Sequence, residues 1–104
     1  IAKELFYTAR NVKAEEAKSI GLVNKVVPAE SLLEEAKAMM QTILSKAPLA
    51  VRYAKIAINE GIQMDLYRGL ELEKDVCALT FGSDDSKEGM SAFLEKRPAV
   101  FQNK

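Results

Sequence analysis

Histidine and tryptophan are absent from the sequence, and cysteine occurs once, at Cys77. Without histidine, neither a Ser–His nor a Cys–His nucleophile pair can be assembled within the chain. A lone cysteine excludes an internal disulfide and argues against a zinc site, so no metal is expected. The five glycines, Gly21, Gly61, Gly69, Gly82 and Gly89, never come close enough to build a phosphate-cradling loop. Runs free of charge reach about eight residues, far short of the roughly 20 that a bilayer helix requires, and no cleavable signal pattern opens the chain. The expectation is a cytoplasmic protein without membrane contact. Fifteen Lys and Arg balance fifteen Asp and Glu, so no overall field draws in nucleic acid, and none is expected as a partner.

Carboxylates and lysines are what remain for chemistry. Adjacent acids occur at Glu15-Glu16, Glu34-Glu35 and Asp84-Asp85. Each pair lies at a helix start or on a polar face, and adjacent helix positions point about 100° apart, so neither pair member converges with the other on one substrate atom. These are read as structural acids. Charge is unevenly spread: seven acids against three bases lie between Asp65 and Glu88, whereas from Lys96 onward there are three bases and no acidic side chain. Cys77 falls in an apolar phase and is expected to be a small buried hydrophobe.

The pattern is helical almost throughout. A helix from Ile1 to about Thr8 begins uncapped at a residue other than methionine, which reads as a chain cut from something longer. Ala14 to Ile20 is a short helix closed by Gly21, whose missing Cβ permits the left-handed conformation past a helix end. LVNKVV, Leu22 to Val27, is β-branched and roughly alternating, giving at most one short strand or extended segment. Pro28 introduces a helix from about Glu30 to Lys46, in which Leu32, Leu33, Ala36, Met39, Met40, Ile43 and Leu44 recur at three- and four-residue spacing. Pro48 starts a helix closed by Gly61. Asp65 caps the next, to about Phe81, and Ser83 caps the last, Asp84 to about Lys96, before Pro98 ends regular structure.

The helices over Ala50–Ile58 and Leu66–Phe81 carry apolar arcs wider than one seam requires. Either a bundle within the chain absorbs them, or each has one burial partner inside the chain and another elsewhere.

The order AKELFYTARNVKAEEAKSIGLVNKVVP, APLAVRYAKIAINEG, a helix carrying GLELE, and FGSDDSKEGMSAFLEKRPAVF resembles, end to end, the C-terminal part of the crotonase, or enoyl-CoA hydratase/isomerase, superfamily. AxxxGLVNKVVP and SxDxxEGMxAFLEKRxxxF are the most specific pieces, and the second is similar to short-chain enoyl-CoA hydratases and bacterial 3-hydroxybutyryl-CoA dehydratases. One departure is Ala9, where the family usually places glycine. Alanine resists positive φ, so the turn is either recast or never needed glycine.

The resemblance implies a mainly α chain: residues 1–27 as the end of the crotonase core, and 28–104 as a helical oligomerisation domain. It implies a parent enzyme that reversibly hydrates 2-enoyl-CoA, assembled as a trimer or hexamer, with acyl-CoA as substrate and no separate cofactor, since coenzyme A belongs to the substrate. The catalytic glutamates and oxyanion hole would precede Ile1, leaving no catalytic residue in the chain and the chain alone inactive. By position, Phe93 would pack by the CoA adenine and Lys96 meet its 3′-phosphate, at the site of a neighbouring subunit; three apart on a helix, they would share a face. The alternative reading of this pair is a core phenylalanine and a helix-terminating lysine. Phe101 is read as an anchor for the tail; the resemblance gives Arg97 no role, but with Lys96 it would have to offset the negative end of the helix dipole, which opposes a phosphate. Other crotonase-type CoA enzymes, such as isomerases and hydrolases, and a non-enzymatic helical interaction module remain as alternative functions.

Overall fold

In a computed structural model describing residues 1–104, every regular element is helical. The helices are α1 (Ala2–Thr8), α2 (Ala14–Ser19), α3 (Leu32–Leu44, preceded by a 3-10 turn over Ala29–Ser31), α4 (Pro48–Gly61), α5 (Leu66–Phe81) and α6 (Asp84–Glu95). This agrees with the mainly α reading. The β-branched stretch Leu22–Val27 is irregular and finds no strand partner. No helix is long and apolar enough to cross a membrane. The chain divides into two compact units, Ile1–Ala38 and Met39–Lys104.

In the first unit, α1 stops at Ala9, which takes the left-handed conformation, φ 49°. The turn is therefore not recast: alanine accepts the positive φ that glycine would adopt at less cost. Arg10, directly after it, ties the two short helices together. Its Nε donates to Glu4 (3.1 Å), and its Nη1 and Nη2 donate to the two carboxylate oxygens of Glu16 (3.1 and 2.7 Å). The guanidinium holds the Glu16 carboxyl below its ordinary range, and the two acids raise Arg10 in turn. Past α2, Gly21 supplies the left-handed residue, φ 75°, that its sequence position predicts. The Gly21 amide donates to the Lys18 carbonyl (3.1 Å) and the Leu22 amide to that of Ala17 (2.8 Å). These two bonds satisfy carbonyls that the helix end leaves free.

In the second unit, α4 and α5 pack against each other. Pro48 opens α4 at its first turn, where its missing N–H costs nothing. Gly61 does not close α4 through a left-handed turn: it is the last helical residue, followed by Ile62 at φ −69°. Its use is a close approach. A Cβ on Gly69 would stand 3.4 Å from the Gly61 carbonyl oxygen, so two small residues let the helices meet. Both predicted caps form: Asp65 accepts from the Arg68 amide and Ser83 from the Ser86 amide, each at 3.1 Å.

The core of this unit is small. Val76 and Ala92 are its buried hydrophobic residues, while Ile58, Leu66, Leu70, Leu79 and Phe81 remain exposed. A bundle within the chain therefore does not absorb the wide apolar arcs. Cys77 is likewise exposed rather than buried, because it stands on this uncovered face.

Candidate functional site

The end of α6 and the tail beyond it form the most connected part of the second unit. Ser83 starts the helix, and two residues later Asp85, only 2% exposed, turns its carboxylate to the tail. Asp85 Oδ1 accepts from the Gln102 amide (2.6 Å) and Oδ2 from the Asn103 amide (2.9 Å), while its own amide donates to the Lys104 carbonyl (2.9 Å). One turn on, Glu88 Oε1 accepts from the Val100 amide at 2.8 Å. A tail without secondary structure carries amides that need acceptors, and these two carboxylates supply them. Phe101 does anchor the tail: its ring lies over Gly89, where an added Cβ would stand 3.5 Å from Cε1.

Arg97 closes the clasp. Its Nη1 and Nη2 form a fork on Glu88 (2.6 and 2.9 Å), its Nε donates to Glu95 Oε2 (2.7 Å), and Nη1 also donates to the Pro98 carbonyl (3.3 Å). Forked pairing of this kind is the strong form of a charged hydrogen bond. The Arg97 guanidinium, followed by the Val100 amide, holds the Glu88 carboxyl down to about 2. Arg97 is raised above its already high ordinary value, first by Glu88 and then by Glu95.

The helix ends here through the same pair of bonds as α2. The Lys96 amide donates to the Phe93 carbonyl (3.3 Å) and the Arg97 amide to that of Ala92 (3.0 Å). The left-handed residue is Lys96, φ 53°. Lys96 thus lies just past the last helical residue, and the helical spacing that would put it on the face of Phe93 stops at Glu95. What joins the two residues is the turn itself. Phe93 is 83% exposed and is not a core phenylalanine, and Lys96 is exposed beside it in sequence. The Lys96 ammonium has no carboxylate partner, in contrast to Arg97.

One member or both of each acid pair has a structural partner: Glu16 holds Arg10, and Asp85 the tail. Asp84 pairs with Lys87 (2.8 Å), which lowers its carboxyl, and Glu35 pairs with Lys25. The Arg97–Glu88 fork is the principal feature that sequence reasoning misses. Its nine-residue spacing spans a chain reversal, so helical periodicity carries no trace of it, although the adjacent basic pair after an acidic helix is a visible prompt.

A second feature is an apolar groove of about 740 Å³ between α4 and α5, bordered by Tyr53, Ala57, Ile62, Leu66, Leu70 and Phe81. Cys77 and Glu73 also line it. It is where the unabsorbed apolar arcs of the two helices face each other.

The family model described as enoyl-CoA hydratase/isomerase matches residues 1–104. Crotonyl-CoA hydratase of Syntrophomonas wolfei is 54% identical over 104 residues, which are 100% of this chain and 40% of that protein. Short-chain-enoyl-CoA hydratase of Clostridium acetobutylicum is 46% identical over 97 residues, 93% of this chain and 37% of that protein. A crystal structure of enoyl-CoA hydratase from Bacillus anthracis superposes with a TM-score of 0.95 at 46% identity, covering 99% of this chain and 40% of the other. The chain spans about 40% of the length of these relatives. A match along its whole length, joined to a shared helical fold at this identity, means that the chain belongs to the enoyl-CoA hydratase/isomerase family.

Proposed function

We propose that this chain is the C-terminal part of an enoyl-CoA hydratase, which adds water reversibly across the double bond of a 2-enoyl-CoA to give a 3-hydroxyacyl-CoA. The observation that carries the reading is its 54% identity, along its entire length, to a crotonyl-CoA hydratase. Coenzyme A enters as part of the substrate, and no further cofactor belongs to the reading. The protein works in the cytoplasm.

Within that enzyme the family resemblance implies that the chain does not supply the reacting groups, and the engagement of four of its acids supports this. A general acid or base works best with a pKa near the operating pH. Here Glu88 is held down to about 2 by Arg97, Glu16 is lowered by Arg10, Asp84 by Lys87, and Asp85 is occupied by two tail amides. The glutamates that move protons and the amides that stabilise the thioester oxyanion lie in the other part of the protein.

Its own contribution is binding and assembly. Phe93 offers an exposed ring to the adenine of the CoA nucleotide, and Lys96 offers an ammonium without a carboxylate partner to its 3′-phosphate. Stacking of a base on an aromatic ring contributes roughly 1–3 kcal/mol in nucleic-acid complexes, and the phosphate contact adds a salt-sensitive term. The uncovered faces of α4 and α5 fit burial in a homo-oligomer, a trimer or hexamer, in which the nucleotide belongs to a neighbouring subunit's substrate.

Hydration of crotonyl-CoA, followed by loss of its enoyl absorbance, tests the reading. The full-length protein is expected to turn over, and residues 1–104 alone to match buffer. Turnover by the chain alone would place catalytic residues inside it. A full-length protein that isomerises or hydrolyses acyl-CoA without hydrating it would replace the hydratase reading with another reaction of the family.

A further inference from the structure

Two helices of this chain end in one and the same turn with different residues at its left-handed position: Gly21 after α2 and Lys96 after α6. Glycine takes that conformation freely, whereas lysine carries its Cβ against the backbone. Residues in such sparsely populated conformations persist only where the surrounding structure holds them, and they are enriched at ligand clamps, although Ala9 and Asn103 also adopt one here. At Lys96 the stabilising surroundings are visible. The tail that leaves it is clasped to α6 by Glu88, Asp85 and the ring of Phe101.

The charges around Lys96 are sorted. Glu95 precedes it and Arg97 follows it, and Arg97 Nε reaches across to Glu95 at 2.7 Å. The other carboxylate bound to the tail, Glu88, is held by both Nη groups of the same guanidinium. A planar fork with five donors can satisfy two carboxylates at once; a point-charge ammonium could not do so with the same geometry. Were Arg97 removed, Glu95, which adjoins Lys96 in the chain, and Glu88 would both lose their guanidinium partner. They would draw its ammonium to themselves and repel an incoming phosphate.

We infer that Arg97 is a positioning residue that engages Glu88 and Glu95 so that the Lys96 ammonium stays uncompensated and available to a phosphate of the bound nucleotide. This rests on the reading of Phe93 and Lys96 as nucleotide contacts. Arg97 itself touches no ligand; it acts by engaging two carboxylates that would otherwise compete for the ammonium that does. Lys96 is left to discriminate between nucleotides that carry the phosphate and those that lack it.

Calorimetric titration of the full-length protein with coenzyme A and with 3′-dephospho-coenzyme A reads that discrimination as a ratio of affinities. Lys96→Ala is expected to abolish the preference for coenzyme A. Arg97→Gln is expected to reduce it on the order of fivefold, the upper size of one exposed charge contact, with little change in binding of the dephospho compound. Adding Glu88→Gln and Glu95→Gln to Arg97→Gln should restore the preference, since glutamine keeps an acceptor for the Val100 amide but removes both charges. Adding Arg97→Gln to Lys96→Ala should change the ratio no further. An unchanged ratio in Arg97→Gln, an equal loss toward both compounds, or failure of the triple variant to recover overturns the role of Arg97. If Lys96→Ala itself leaves the ratio intact, the nucleotide reading of Lys96 falls, and the role of Arg97 with it. That result is distinct from a selective Lys96→Ala beside an indifferent Arg97→Gln, which removes Arg97 alone.

Discussion

The carboxylate of Asp85, near the start of α6, holds the amides of Gln102 and Asn103 at 2.6 and 2.9 Å, so a helix N-terminal acid organises a tail 17 residues later in the chain. An acid at this position would ordinarily be explained by the helix dipole alone. Being almost wholly buried, it does more. Asp85→Ala leaves two tail amides without their acceptor and should weaken tail docking by about 1–3 kcal/mol, while Asp85→Asn, which keeps one carbonyl oxygen, should lose less. Amide exchange of residues 100–104 in the full-length protein measures this directly. Equal protection in all three proteins would mean that the tail is held by other contacts.

Acid should loosen the same clasp through Glu88. Its folded-state pKa is depressed from 4.5 to about 2, chiefly by Arg97, so its contribution to stability is fully present above about 4.5 and is lost as the pH falls toward about 2. Glu88→Gln cannot titrate. The difference in thermal midpoint between the original protein and Glu88→Gln should therefore be constant above pH 4.5 and shrink below it. A difference independent of pH through that window would show that the pair is not formed in solution.

Most of the helical layout is legible because it rests on local chemistry. The caps at Asp65 and Ser83, Pro48 at the first turn of α4 and Gly21 at a left-handed position each follow from a residue's own side chain or from the lack of one. What could not be read depends on contacts across the fold. Gly61 looks like a stop signal, yet it serves a close approach to Gly69. Cys77 lies in an apolar phase, but periodicity cannot say whether the partner of that face lies in the same chain. At the candidate site, the family resemblance brings Phe93 and Lys96 to attention, whereas Arg97 emerges only once the chain reversal sets it against Glu88. A basic residue beside a proline has no periodic signature.

Ala9 provides a stability test in the first unit. An L-residue at φ 49° is strained by roughly 1–2 kcal/mol relative to glycine, and glycine gives back part of that through its freer unfolded chain, about 0.4–1 kcal/mol. Ala9→Gly should therefore stabilise the protein by roughly 0.5–1 kcal/mol, seen as a higher denaturant midpoint with an unchanged slope. A loss of stability would mean that the alanine methyl makes a contact worth more than the strain.

The apolar face left by α4 and α5 sets the last expectation. Leu66 is 79% exposed, Leu70 48% and Phe81 65%, and burying a leucine fully contributes about 1.5–3 kcal/mol, so leaving this row to water would forgo several such contributions. Contiguous apolar surface of this kind marks an interaction site. In the proposed enzyme, the face is covered by a neighbouring subunit of a trimer or hexamer. Leu70→Glu introduces a charge there and should shift the full-length protein toward smaller species in sedimentation velocity while its helical circular dichroism persists. If Leu70→Glu unfolds the protein without dissociating it, the cover comes from the same polypeptide. If the unsubstituted full-length protein sediments as a monomer, the face has no subunit partner and the proposed assembly is wrong.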